Sequence, residues 1–91
     1  MKIKILLSAL QFRNVIAYEN RCFYIDLDDQ STIKDAVLAI ENKIGGKIEH
    51  YLTRGDVKLI LNDRVIDYKE EMLKNLKDED VLIFITPLSG G

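Results

Sequence analysis

The C-terminal stretch reads Val81-Leu82-Ile83-Phe84-Ile85-Thr86-Pro87-Leu88-Ser89-Gly90-Gly91, and it decides how the rest of the chain is interpreted. Its apolar run predicts a strand from Val81 to Thr86, which Pro87 ends because proline has no N–H to donate to a neighbouring strand. Glycine has no Cβ, so it lies extended in a channel too narrow for other residues. Gly90 and Gly91 therefore predict chemistry at an unhindered terminal carboxylate. The alternative is a polar end without function, or an artificial truncation.

Length and composition predict one domain with a buried core, because the chain has 91 residues of which 47% are hydrophobic. The net charge of -2 gives no electrostatic reason to expect direct binding of nucleic acid or an anionic membrane. Lys2 and Lys4 interrupt the apolar start that a signal peptide needs, and no apolar run reaches the roughly 20 residues that cross a bilayer. We therefore expect a cytoplasmic protein.

Alternating hydrophobicity predicts two strands in the first third of the chain. The first covers residues 2–10 and the second begins near Cys22, with a turn region over residues 14–20 between them. The faces expected to be buried are Ile3, Ile5 and Leu7 in the first strand, and Phe23, Ile25 and Leu27 in the second. Two strands separated by a short polar break favour an antiparallel pair.

A helix is predicted after Thr32, which is suited to the N-cap because Asp35 occupies the capping-box position three residues later. Its apolar face recurs at helical spacing and consists of Ile33, Ala36, Val37, Ile40 and Ile44. Gly45-Gly46 ends the helix by supplying a left-handed cap. Residues 47–56 are predicted to be irregular or weakly helical.

Two further strands are predicted over 57–61 and 64–66, with a turn at Asn62-Asp63. A charged connection over 67–80 follows, and its acidic run Asp78-Glu79-Asp80 is interpreted as a solvated turn. Two strands, one helix and three strands predict an α+β chain with the β-grasp architecture, a mixed sheet of about five strands. One main helix covers one sheet face, and the first and last strands lie side by side in parallel. We assign 1–86 to this domain and 87–91 to a flexible tail.

The period of the strands also predicts an apolar outer face on the sheet. If Leu82 and Phe84 face the helix, the side chains between them face the other way. Four apolar residues then share the outer face: Leu6, Ile60, Ile83 and Ile85. Such a cluster is typical of a partner-binding surface, to which we add Pro87 and Leu88. The alternative is that 47–56 or 67–80 folds over and covers it.

Two segments carry a resemblance to a known family. Leu76-Lys77-Asp78-Glu79-Asp80-Val81 leads into the last strand, and Phe84 and Pro87 precede the ending Leu88-Ser89-Gly90-Gly91. This pattern resembles the sulfur-carrier and ubiquitin-like modifier family, with the small subunit of molybdopterin synthase, the archaeal small modifier proteins and the ubiquitin-related modifiers. The Leu61-Asn62 step and the Thr32-Ile33 helix start also fit. A single proline near the end and a longer 47–56 segment depart from the family pattern.

The resemblance implies a carrier and not an enzyme. An adenylating enzyme related to ubiquitin-activating enzyme would use ATP to activate the Gly91 carboxylate. The product would become a thiocarboxylate, for molybdopterin synthesis or tRNA thiolation through a sulfur-acceptor enzyme, or an isopeptide with lysines of target proteins. ATP would belong to the partner enzyme, and no cofactor bound to the chain itself is implied. The alternative class is a plain β-grasp protein-interaction module with an inert tail.

Other reactive side chains carry little functional signal. Cys22 has no histidine near it in sequence and is predicted to lie on the strand face opposite Phe23, which favours a spectator thiol. His50 has no second ligand candidate and is expected to face solvent. With one cysteine and one histidine, we expect no metal site and no catalytic residue.

Overall fold

The computed structural model describes residues 1–87 and contains a five-stranded sheet of order β2-β1-β5-β3-β4. The strands are β1 Lys2–Leu7, β2 Cys22–Asp26, β3 Lys58–Leu61, β4 Arg64–Ile66 and β5 Val81–Ile85. β5 pairs in parallel with β1 and antiparallel with β3, so the last strand lies in the middle of the sheet. This arrangement confirms the predicted mixed-sheet β-grasp fold.

The main helix, α1, spans Ile33–Ile44 and begins as predicted. The Asp35 N–H donates to Thr32 Oγ1 at 3.2 Å, and the Thr32 N–H donates to Asp35 Oδ2 at 2.8 Å, which completes a capping box. The helix ends at Gly45, whose φ of 77° lies in the left-handed region that favours glycine. None of the helices within residues 1–87 is long and apolar enough to cross a membrane.

The core lies between the sheet and α1. Sheet residues that are almost completely buried include Ile3, Ile5, Leu7, Leu59, Leu82 and Phe84, and they pack with Ile33, Ala36, Val37 and Ile40 of α1. Apart from Leu59, all of these were assigned to buried faces from the sequence. Four other residues assigned to buried faces are only half-buried: Phe23, Ile25, Leu27 and Ile44. Burying a side chain of this size contributes about 1.5–3 kcal/mol, so the alternating pattern determines which face of the sheet meets the helix.

The first strand is shorter than predicted, because β1 ends at Leu7. The chain then turns into a short 3-10 helix over Leu10–Phe12, and a second 3-10 helix covers Tyr18–Asn20. Ala9 and Phe12 are buried, and Ala9 continues the apolar alternation of β1 beyond the strand itself. Because Ala9 is buried although it lies in a turn, its position in the alternation led to the prediction of a longer strand.

Residues 47–56 contain a regular helix, α2, over Ile48–Arg54. Ile48 and Leu52 lie one turn apart and are both buried, whereas no side chain caps the helix at Lys47. The segment was interpreted as irregular or weakly helical, and the structure shows a regular helix that ends at a left-handed cap, Gly55, with a φ of 83°. The burial of Ile48 and Leu52 against the core accounts for the difference, because short helices depend on such packing.

The connection over 67–80 contains a third short helix, α3, over Tyr68–Glu71. The Tyr68 hydroxyl donates to Glu49 Oε2 at 2.7 Å. The pKa of Tyr68 is raised, mainly by burial and also by this hydrogen bond. Tyr68 and the buried residues of α2 belong to the same hydrophobic core as α1. Both 47–56 and 67–80 therefore pack on the core side of the sheet, and not over its outer face.

The interpretation of the acidic run as a solvated turn was wrong for one of its residues. Asp80 is only 8% exposed, and its Oδ2 accepts the N–H of Lys77 at 2.7 Å. The neighbouring Asp78 is exposed but accepts the N–H of Lys2 at 2.7 Å. This run therefore fixes the start of β5 and is not simply a charged surface.

Candidate functional site

One row of side chains crosses all five strands on the face opposite the core. The strand register pairs Leu6 with Cys22 on one side and with Ile83 on the other. Ile83 pairs in turn with Ile60, and Ile60 with Val65. Side chains that are opposite each other on neighbouring strands lie about 4.5–5.5 Å apart, so these five form a continuous strip. We call this set, Cys22, Leu6, Ile83, Ile60 and Val65, the outer row.

The outer row is accessible to a partner. Leu6, Ile60 and Ile83 are partly exposed, and Val65 is 56% exposed. The structure therefore places these three predicted residues on the predicted face and brings them together. Cys22 and Val65 complete the row but were not predicted as partner-binding residues, because membership depends on strand register, which hydrophobic alternation within a strand does not give.

The other predicted partner-binding residues lie around the outer row or beyond the described residues. Ile85 is partly exposed and stands opposite Lys58 of β3, and Pro87 is partly exposed directly after β5. Leu88, Gly90 and Gly91 lie outside the described residues, so their roles stay predictions. The division into a domain over 1–86 and a tail over 87–91 likewise stays a prediction.

Lysines flank the outer row on both sides. Lys4 stands opposite both Tyr24 and Val81, in the row next to the outer row. Lys58 stands opposite Ile85 on the other side. The face thus combines an apolar strip with a cationic border, although the whole chain has a net charge of -2. A partner with an apolar patch and an acidic border is complementary to it.

The end of β5 is fixed to the 3-10 helix over Leu10–Phe12. Thr86 Oγ1 accepts the N–H of Leu10 at 2.7 Å and donates to Gln11 Oε1 at 3.2 Å. Gln11 Nε2 in turn donates to the backbone carbonyl of Asp56 at 3.1 Å. We call the contact of Thr86 with Leu10 and Gln11 the Thr86 latch. It holds the backbone in place immediately before Pro87.

An aromatic pair supports the latch from inside the core. The rings of Phe12 and Phe84 meet edge to face, with centroids 6.3 Å apart and an interplanar angle of 89°. Both side chains are fully buried, and such pairs add about 0.5–1.5 kcal/mol beyond area burial. The latch and this pair therefore anchor the end of β5 beside the outer row. Sequence reasoning missed this latch because its partners are far apart in the chain.

The remaining candidates occupy ordinary surface positions. Cys22 is exposed on the outer face, opposite in direction to Phe23 as predicted. His50 is exposed on α2, and its Nε2 lies 3.5 Å from Arg54 Nη1. Within residues 1–87, no group of three His, Cys, Asp or Glu side chains is arranged to hold a metal ion.

Comparisons with known proteins agree with the fold. The ThiS family model matches residues 14–91. An uncharacterized protein of Archaeoglobus fulgidus is 48% identical over 91 residues, which cover both chains completely. Two solved structures superpose over the full length of both chains. SAMP1 from Haloferax volcanii has a TM-score of 0.70 and 17% sequence identity. A chain of the complex of subunits 1 and 2 of molybdopterin-converting factor from Helicobacter pylori has a TM-score of 0.62 and 24% sequence identity. The resemblance seen in the sequence is confirmed, and this chain belongs to the ThiS family.

Proposed function

We propose that this chain is a ubiquitin-like carrier protein whose C-terminal glycine, Gly91, is adenylated by an activating enzyme. The observation that carries the proposal is the outer row beside the end of β5, which the Thr86 latch anchors. A partner that binds Leu6, Ile60 and Ile83 thereby also fixes the point from which the residues after Pro87 start. Membership of the ThiS family supports the same function.

Activation of Gly91 requires catalytic groups and an ATP site, which the partner enzyme supplies. A Gly91 carboxylate oxygen attacks the α-phosphate of ATP, pyrophosphate leaves, and an acyl-adenylate forms. A sulfide-equivalent donor then displaces AMP and leaves a thiocarboxylate on Gly91. A lysine amine of a target protein gives an isopeptide bond instead. The carrier contributes an accessible carboxylate and a docking face, and the activating enzyme contributes the catalytic groups and the ATP site.

The proposed docking face consists of the residues that were selected from the sequence: Leu6, Ile60, Ile83, Ile85, Pro87 and Leu88. The first four surround the centre of the exposed sheet face, where a buried anchor gains most from excluding water. Lys4 and Lys58 border them and favour an acidic rim on the partner. The Helicobacter pylori structure, a complex of subunits 1 and 2 of molybdopterin-converting factor, supports a protein partner for this fold.

Two fates of the activated glycine are compatible with this site. Sulfur transfer, for molybdopterin synthesis or tRNA thiolation, needs a sulfur-acceptor enzyme. Protein modification needs lysines of target proteins. Both use the same acyl-adenylate and the same docking face, so one chain is able to serve both.

The test is intact-mass analysis of the protein recovered from its native host. We expect a thiocarboxylate at Gly91, which is heavier than the free acid by the difference between sulfur and oxygen, or branched peptides in which Gly91 is joined to lysine. A variant without Gly91 should show neither, while its melting temperature stays close to that of the parent chain. If only the free acid is found, and the cognate adenylating enzyme forms no acyl-adenylate with the purified chain, the carrier function is wrong and the chain is an interaction module.

A further inference from the structure

The two edge strands of the sheet, β2 and β4, differ in how well they are protected. β4 has three residues and starts at Arg64, whose Nη1 binds Glu71 Oε1 at 2.8 Å. Short, charged edges of this kind resist pairing with other chains. β2 has five residues, and its sole charged residue is Asp26 at the end. An edge of this length without proline, lysine or arginine is a template for another strand.

The strand register shows which backbone groups of β2 point away from the sheet. The Leu7 N–H donates to the Arg21 carbonyl at 2.8 Å, and the Leu27 N–H donates to the Met1 carbonyl at 2.8 Å. Bonding to β1 therefore falls on the odd-numbered residues from 21 to 27, since antiparallel strands alternate. The N–H and C=O groups of Cys22, Tyr24 and Asp26 point outward, and within residues 1–87 the structure gives them no backbone partner.

We propose that this edge pairs with β2 of a second copy of the chain, antiparallel, about a two-fold axis at Tyr24. That register uses every outward backbone group, because Tyr24 faces Tyr24 of the second copy and Cys22 faces its Asp26. On the opposite face, Phe23 stands beside Ile25 of the second copy. Aromatic pairs with β-branched residues are among the favourable cross-strand pairs, and no like charges of β2 meet.

The charge at the end of β2 selects the antiparallel direction. Asp26 and the following Asp28 are exposed, whereas the start of the strand, Cys22 to Tyr24, carries no charge. Antiparallel pairing places Asp26 opposite Cys22 of the second copy, whereas parallel pairing brings the two acidic ends together. The edge is therefore complementary to itself in one orientation.

This dimer keeps the proposed docking faces free. A two-fold axis perpendicular to the sheet leaves both outer rows on the same side of one continuous sheet. Because the two copies run in opposite directions, the two β5 strands end on opposite sides of the dimer. The dimer therefore neither requires the carrier function nor blocks it.

Sedimentation equilibrium from micromolar to millimolar protein tests the dimer. We expect the full chain to dimerise, and Tyr24→Pro to raise the dissociation constant at least about tenfold, since proline removes an outward N–H that β1 does not use. Val65→Pro is a matched control: Val65 is 56% exposed against 57% for Tyr24, and it lies on the other edge strand. The Val65 N–H also points away from the sheet. Asn62 and Asp63, with φ of 47° and 72°, form a two-residue hairpin turn, so the flanking residues Leu61 and Arg64 form a hydrogen-bonded pair. The next pair, Ile60 and Val65, is therefore a non-hydrogen-bonded pair.

A second pair of variants covers the case in which a proline prevents folding. Tyr24→Lys places two like charges on the two-fold axis and should weaken the dimer by a similar factor, whereas Val65→Lys should not. A parent chain that stays monomeric at millimolar concentration would overturn the proposal and leave this edge to a strand of another protein. A dimer that Tyr24→Lys leaves unchanged would overturn it as well.

Discussion

Asn62 joins the turn between β3 and β4 to the start of β5 through Asp80. Its Nδ2 donates to Asp80 Oδ1 at 2.7 Å, while its Oδ1 accepts the N–H of Val81 at 2.9 Å. Asp80 Oδ2 is occupied by the N–H of Lys77 at 2.7 Å. A nearly buried carboxylate is thus satisfied by neutral donors. The pair sets the position at which β5 enters the sheet.

Replacing Asp80 by asparagine should destabilise the fold, although the two side chains have the same shape. An amide has only one acceptor oxygen, so one of the donors Asn62 Nδ2 and Lys77 N–H would face an NH2 group. An unsatisfied buried polar group costs about 1–3 kcal/mol. Urea unfolding at neutral pH measures this cost. Asp63→Asn, in the same turn but exposed, is the control and should change stability by less than about 0.5 kcal/mol. Equal stability of the two variants would contradict the role of Asp80.

The Glu71 carboxylate should make the fold sensitive to acid. It accepts hydrogen bonds from Arg64 Nη1 at 2.8 Å, the Asp67 N–H at 2.9 Å and Lys74 Nζ at 3.0 Å. These donors, the Arg64 bond first, lower the pKa of Glu71 from 4.5 to about 2. Because the pKa is lower in the folded state than in the unfolded state, the stabilisation is complete above about pH 4.5 and is lost as the pH falls towards about 2.

We therefore expect Glu71→Gln to be less stable than the parent chain at neutral pH, and the difference to shrink as the pH falls through this window. Urea midpoints measured across the acidic range check this. Glu70→Gln, at an exposed neighbouring position, controls for the general effect of removing a negative charge. A difference that stays constant with pH would show that the Glu71 contacts do not form in solution.

Neighbouring residues of β5 should separate stability from partner binding. Phe84→Ala empties a fully buried site and should cost about 3–5 kcal/mol. Ile83→Thr keeps the β-branched shape on the partly exposed face and should cost about 1 kcal/mol. The order should reverse for binding to the activating enzyme, which Ile83→Thr should weaken about tenfold or more.

Thermal unfolding and a binding titration on each variant measure both quantities. Leu73→Thr is a suitable control, because Leu73 is 69% exposed and lies in the 67–80 connection, away from the outer row. If Ile83→Thr binds the enzyme as tightly as the parent chain does, recognition does not use the outer row.

The Thr86 latch should protect one amide from exchange with solvent. Thr86→Val removes the hydroxyl that accepts the Leu10 N–H, so hydrogen exchange at Leu10 should become faster. Global stability should fall by only about 0.5–1.5 kcal/mol, the usual net contribution of one hydrogen bond. Thr86→Ser keeps the hydroxyl and should preserve slow exchange. NMR-detected exchange distinguishes the two, and equal exchange rates in both variants would mean that the latch does not close in solution.

Local patterns were enough to predict the elements whose signals lie within a few residues. The capping box of Thr32 and Asp35, and the alternation of Ile3, Ile5 and Leu7, involve near neighbours in the chain, so helix start and buried face followed directly. The register that places Leu6 beside Cys22 and Ile83 depends on long-range pairing, which such patterns do not contain.

The features that sequence reasoning missed share a tertiary origin. Helix α2 depends on the burial of Ile48 and Leu52 against the core. Asp80 looked like a surface charge, because its donors, Asn62 and a backbone N–H, are visible only in the folded chain. The Thr86 latch joins residues near opposite ends of the chain. Each depends on contacts that form only once the chain has folded.

The central position of β5 has a consequence for how the protein is made. β1 pairs with β2 and β3 pairs with β4, but the two hairpins are joined into one sheet only through β5. During synthesis on a ribosome, both strand pairs form before β5 is available. An isolated two-stranded pair is at best marginally stable in water. A chain that stops before Val81 thus lacks both the folded domain and the residues that follow it. Prematurely terminated copies would be open to proteolysis, and they would not compete with complete ones for a partner that recognises the finished sheet.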